Sequence, residues 1–151
     1  MFGLPVWAGV LVLVGAILAV EIAIWRLLII PRLRARMADA AREAEAALGG
    51  EVIRSGRASF AGTASRGRAR GTGHLAIGPH EVVFVRLSPR SMLRIARARI
   101  DSVETTPSHL GGRKRRPLLR IAFRDEAGEP DVVGFHVGRD TRPWEEALAA
   151  G

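Results

Sequence analysis

The chain has 151 residues, 23 of them basic and 15 acidic, for a formal net charge of +8, and it contains neither cysteine nor tyrosine. That length leaves room for an apolar anchor and one modest domain of about 100 residues. The missing thiol excludes disulfides, thiolate metal sites and lipoprotein acylation. Charge is unevenly spread: residues 86–120 carry ten basic and two acidic side chains, and residues 121–151 carry three basic and seven acidic.

Residues 2–20 form an uncharged apolar run, and apolar residues resume at 22–25 and 27–30. About 20 helical residues cover the roughly 30 Å hydrocarbon core of a bilayer. Trp7 and Trp25 stand about 27 Å apart along such a helix, which suits one indole at each membrane interface. A cleaved signal peptide is the competing reading, but no Lys or Arg precedes the apolar core, and apolar sequence runs on to Ile30. Residues 1–31 are therefore expected to be a single-pass transmembrane anchor. Arg26, Arg32, Arg34 and Arg36 flank its C-terminal end. By the positive-inside rule this places the N-terminus outside and the rest of the chain in the cytoplasm, at the inner membrane. Glu21 is either an intramembrane carboxylate or, four residues before Trp25, an interfacial one. Gly15, Ala19 and Ala23 recur every four residues, a small-residue face that suits homodimer formation or pairing with another membrane protein.

Residues 32–50, rich in Ala, Arg, Glu and Leu and closed by Gly49-Gly50, are expected to form a juxtamembrane helix. It reads equally as a basic segment lying on headgroups or as a solvated spacer. From residue 51 the texture changes to short strands. Seven are expected, over 51–60, 74–77, 81–87, 91–96, 100–106, 118–123 and 131–137, with a glycine-rich loop over 61–73. Residues 141–149 then read as a short amphipathic helix, capped by Asp140 or Thr141, with Trp144 and Leu148 on one face.

The hairpin GTGHLAIGPHEVVFV, the stretch LSPRSMLRIARARIDSVE, the strand LLRIAF and the final helix with Trp144 together make a pattern. Gly73, Leu75 and Ile77, the run 82–84, Ile95, and Ile100 with Val103 and Glu104 carry it. In this the segment 51–149 resembles the PH/GRAM-like domain of small uncharacterised bacterial single-pass membrane proteins. The resemblance implies a bent antiparallel sheet, a partly open barrel, closed at one end by a C-terminal helix whose Trp plugs the opening. It implies basic loops that contact anionic lipid. The motifs are mostly core positions, so they speak for fold more than for function.

Four consecutive basic residues, Arg113, Lys114, Arg115 and Arg116, follow Gly111-Gly112 and are expected on a loop entering the strand 118–123. Guanidinium forks and ammonium groups on a loop suit phosphate recognition. Arg66, Arg68 and Arg70 alternate with small residues and are expected to join the same patch. The plain alternative is a solvated charge run. Nucleic acid is disfavoured, because no aromatic side chains interleave the charges for stacking. The four histidines are spread singly, so no metal site or cofactor is expected. The glycines lack any phosphate-loop spacing, and no nucleophile and base can be paired. The expected role is a non-catalytic binding or scaffold module contacting anionic lipid. The alternative is a protein-interaction subunit of a membrane complex without lipid specificity.

Overall fold

The computed structural model describes residues 6–67 and 69–150, with the side chains of Val6 and Lys114 outside the description. Helix α1 (Val6–Ile24), a π-helical turn (Trp25–Ile29) and α2 (Ile30–Ala47) follow one another without a gap. In the π turn the Ile30 N–H donates to the Trp25 carbonyl, five residues back. Pro31 comes next; its ring would clash with the carbonyl four residues before it, and a widened turn relieves that clash. The helical run Trp7–Ala47 is by length and composition apolar enough to cross a membrane, with a mean hydropathy of 2.4 in its most apolar window.

The chain divides into two compact units, Met1–Arg36 and Met37–Gly151. In the second, seven strands form one antiparallel sheet: β1 (Arg54–Thr63), β2 (Gly71–Ile77), β3 (Glu81–Leu87), β4 (Arg90–Ala96), β5 (Ile100–His109), β6 (Gly112–Arg124) and β7 (Pro130–His136). Their spatial order is β4-β3-β2-β1-β7-β6-β5. Gly67 adds a one-residue bridge to Thr63. Eight segments therefore take part in strand pairing, one more than the seven expected, because a glycine-rich loop gives no apolar alternation to announce a bridge. β1 serves both halves of the sheet, pairing with β2 on one side and β7 on the other, and its register against β7 shifts between Phe60 and Thr63. That bulge bends the strand and curls the sheet into an open half-barrel.

Alternation along the strands sends Leu75, Ile77, Phe84, Ile121, Val133 and Phe135 to the concave face, where they form one core with Trp144 of helix α3 (Arg142–Ala149). Burial of these side chains drives closure, each contributing about 1.5–3 kcal/mol. Thr141 is the N-cap residue of α3 and makes no side-chain capping bond, while Asp140 Oδ1 just before it accepts the Arg142 N–H. At the other end of α3, Arg97 donates to the carbonyls of Ala147 and Leu148, at 3.2 and 2.6 Å, and satisfies groups the helix leaves open.

The convex face is covered too. Ala40 and Ala44 of α2 are fully buried against Ala76 of β2 and Val83 and Val85 of β3. The second half of α2 is thus part of the β-domain rather than a solvated spacer. Alanine at both contact positions is what lets a helix backbone approach a sheet this closely.

Candidate functional site

Strands β5 and β6 form a long hairpin whose tip carries the basic run. Its two turn residues, Leu110 and Gly111, have φ of 49° and 72°. Positive φ at both central positions matches the two-residue turn that the natural twist of a hairpin favours. Next to it, Ser108 pairs with Arg113 and His109 with Gly112, while further along Thr106 pairs with Leu118. Residues 114–117 therefore stand opposite Pro107 alone. The run is not a loop leading into a strand, as the sequence suggests. It is a bulge within one arm of a hairpin that begins at Gly112. Charged residues followed by Pro117 have no strand-like alternation, and Pro107 and Pro117 both lack the N–H a ladder needs.

The tip is held down by His109, a buried residue whose Nε2 lies 3.0 Å from the Gly62 carbonyl oxygen. A carbonyl only accepts, so Nε2 carries the proton. The ring lies over Gly134 of β7, where a Cβ would come within 3.0 Å of it. Leu118, fully buried, comes within 3.0 Å of the same point. Outside this latch, Arg113, Arg115 and Arg116 are exposed. The ion pairs among the described residues use Arg42, Arg90, Arg94, Arg120 and Arg124, and none involves these three. The Lys114 side chain lies outside the described residues.

The β1–β2 loop starts where the latch ends. The N–H and Oγ of Ser65 both donate to Asp131, at 3.0 and 2.5 Å, and the Arg66 N–H donates to Thr63 Oγ1 at 3.1 Å. Arg66 and Arg70 are exposed, and Arg68 lies outside the described residues. Arg66 stands on the wall of a groove of about 1090 Å³ that opens on the concave side, along the free edge of β4.

The floor of that groove is Phe60, Phe84, Phe123, Leu93 and Ile95, and its rim holds Arg66, Arg86, Arg94, Arg99 and Arg124. Phe60 and Phe84 stack with ring centroids 5.7 Å apart. The Arg86 guanidinium lies 5.8 Å from the centre of Phe60. These rim arginines were not visible as a group in the sequence, being scattered over five separate elements and turns. Only the fold collects them.

The residues expected at the membrane are exposed along the N-terminal helix: Trp7, Trp25, Arg26, Arg32 and Arg34, with Gly15, Ala19 and Ala23 on their own face. Glu21 is exposed there as well. Among the described residues no group of three His, Asp or Glu side chains is placed to hold a metal ion.

No family model matches the chain, and no curated protein matches it. Among solved structures it is similar to the crystal structure of the C-terminal domain of an unknown protein from Leishmania infantum. The likeness has a TM-score of 0.51 at 14% identity, and covers 74% of this chain and 94% of that one. At that identity it concerns the fold alone.

Proposed function

We propose that the chain is a non-catalytic, single-pass membrane protein that presents a PH/GRAM-like binding or scaffold domain at the cytoplasmic face, where its basic hairpin meets anionic lipid. A curled antiparallel sheet with a C-terminal helix packed into its core supports the PH/GRAM-like reading. The arginines following α1 support the cytoplasmic placement. The observation that carries the lipid contact is the state of Arg113, Arg115 and Arg116: exposed, outside the ion pairs, and displayed on a hairpin that His109 holds in place. Each basic side chain near an anionic surface is worth about 1 kcal/mol, so three shift the balance about a hundredfold. The attraction falls off within a Debye length of about 8 Å at physiological salt.

The chain has no cysteine, so one introduced at exposed Ser108 is a unique labelling site. A nitroxide there, on the full chain in bilayers, should slow when phosphatidylglycerol is added to phosphatidylcholine. The slowing should vanish in high salt or when Arg113, Arg115 and Arg116 are replaced by Gln. A label indifferent to lipid charge leaves the domain as a protein-interaction subunit and ends the lipid reading. Modification of that cysteine by an impermeant reagent outside intact cells overturns the orientation.

A further inference from the structure

We infer that the concave groove beside β4 is a binding site for a single-chain amphiphile with a small anionic head, a carboxylate or phosphate on an acyl or alkyl tail. The floor supplies the first half of the argument. Phe60, Phe84, Phe123, Leu93 and Ile95 offer aromatic and aliphatic carbon without a hydrogen-bonding side-chain atom, so what lies on them is apolar. At about 1090 Å³ the groove is slightly larger than the range that ligand clefts usually occupy.

The rim supplies the second half. Of the lining carboxylates, Glu81 is taken by Arg94, Asp131 receives Ser65 and Val132, and Asp125 accepts two backbone N–H groups of its own turn. Glu126 remains as the counterweight. Against it stand Arg66 and Arg99, neither with an ion-pair partner among the described residues, and Arg86, which lies over Phe60 and gives its Nε–H to the Pro89 carbonyl. Guanidinium forks match a carboxylate or phosphate in two parallel hydrogen bonds. Phe60, Phe84, Phe123 and Ile95 are themselves buried, so a tail would lie against the more open Leu93 and Met92, and a ligand with a tail alone would leave the guanidinium groups unused. The site is distinct from the basic hairpin and does not rest on its lipid contact.

The test uses the full chain in phosphatidylcholine nanodiscs with its methionine methyl groups labelled with 13C. Of the three methionines, Met92 lines the groove and Met37 lies on α2, so the Met92 resonance reports the site and the Met37 resonance a region outside it. Dodecanoate should shift Met92 saturably and leave Met37 in place, and dodecyl phosphate should do the same. Inorganic phosphate and dodecyltrimethylammonium should not compete. The double variant Arg66→Gln, Arg99→Gln should bind dodecanoate about tenfold or more weakly. Arg113, Arg115 and Arg116 stay in place throughout, so this site is read apart from the hairpin. The proposal is overturned by a silent Met92, by equal shifts from the cationic amphiphile, or by unchanged affinity in the double variant. It is equally overturned if Met92 responds only to an acidic peptide, or moves with protein concentration alone, which would give the groove to a strand or to a second copy.

Discussion

His109 Nε2 donates to the carbonyl oxygen of Gly62 across 3.0 Å, tying the tip of the β5–β6 hairpin to the far end of β1. The two residues are 47 apart in sequence, and the bond is buried. Replacing His109 by Ala should leave the Gly62 carbonyl without its donor, at a cost of about 1–3 kcal/mol. Thermal unfolding reads the loss, and amide exchange over residues 108–113 should rise ahead of the rest of the sheet. Gly134→Ala should act on the same latch from below, because its Cβ would press on the imidazole and on Leu118 at once. An unchanged exchange pattern in both variants would mean the tip is held by something else.

The helix-to-sheet contact makes a second prediction. Ala40 and Ala44 are fully buried against Ala76, Val83 and Val85. Ala40→Leu or Ala44→Leu should force α2 off the sheet and cost about 1–3 kcal/mol of overpacking. The exposed ion pair of Arg90 with Glu43 lies along the same contact, and Glu43→Gln should cost at most about 1 kcal/mol. Comparing the two in chemical denaturation separates packing from charge. A larger loss from Glu43→Gln than from Ala44→Leu would refute this ranking.

Gly73 allows a sharper test. A Cβ there would lie 2.1 Å from the Val85 carbonyl oxygen and 2.7 Å from the Phe84 ring. Backbone cannot give way as a side chain can, so Gly73→Ala should open the β2–β3 ladder or prevent folding. Gly111→Ala should be much milder, its cost coming from positive φ and not from collision. Circular dichroism and expression yield of the two variants check the difference.

The same glycine explains part of what the sequence concealed. Residues 61–73 read as a loop because four glycines interrupt every apolar period, yet β1 runs to Thr63 and β2 begins at Gly71. There glycine is demanded by close strand approach, a tertiary fact without a local signature. Where strands bury both faces or alternate cleanly, as at Glu81–Leu87 and Pro130–His136, the pattern was plain and the boundaries fall within a residue. The α3 helix and its buried Trp144 were equally legible, from a cap, early acidic residues and an i,i+4 apolar pair. The basic run was visible as chemistry but not as geometry. Its exposure could be read from charge alone, while the bulge that displays it depends on the register of β5 against β6. The groove was legible in neither sense, since its arginines come together only when the sheet curls.

His74 carries the pH prediction. It lies on β2, facing away from the concave core, with Nε2 buried and without a hydrogen-bond partner. Burial lowers its pKa below the ordinary value of 6.5, and the Glu45 carboxylate on α2 partly offsets that shift. The folded state therefore holds fewer protons on His74 than the unfolded chain does. Stability from this group is complete above pH 6.5 and is lost as pH falls through the lower, folded value. Melting temperature should decline across that acid window in the natural chain and decline less in His74→Gln, which cannot take up the proton. Glu45→Gln, by removing the offsetting charge, should steepen the decline. Parallel pH profiles for all three proteins would show that His74 titrates alike in the folded and unfolded chain, and that the acid sensitivity lies elsewhere.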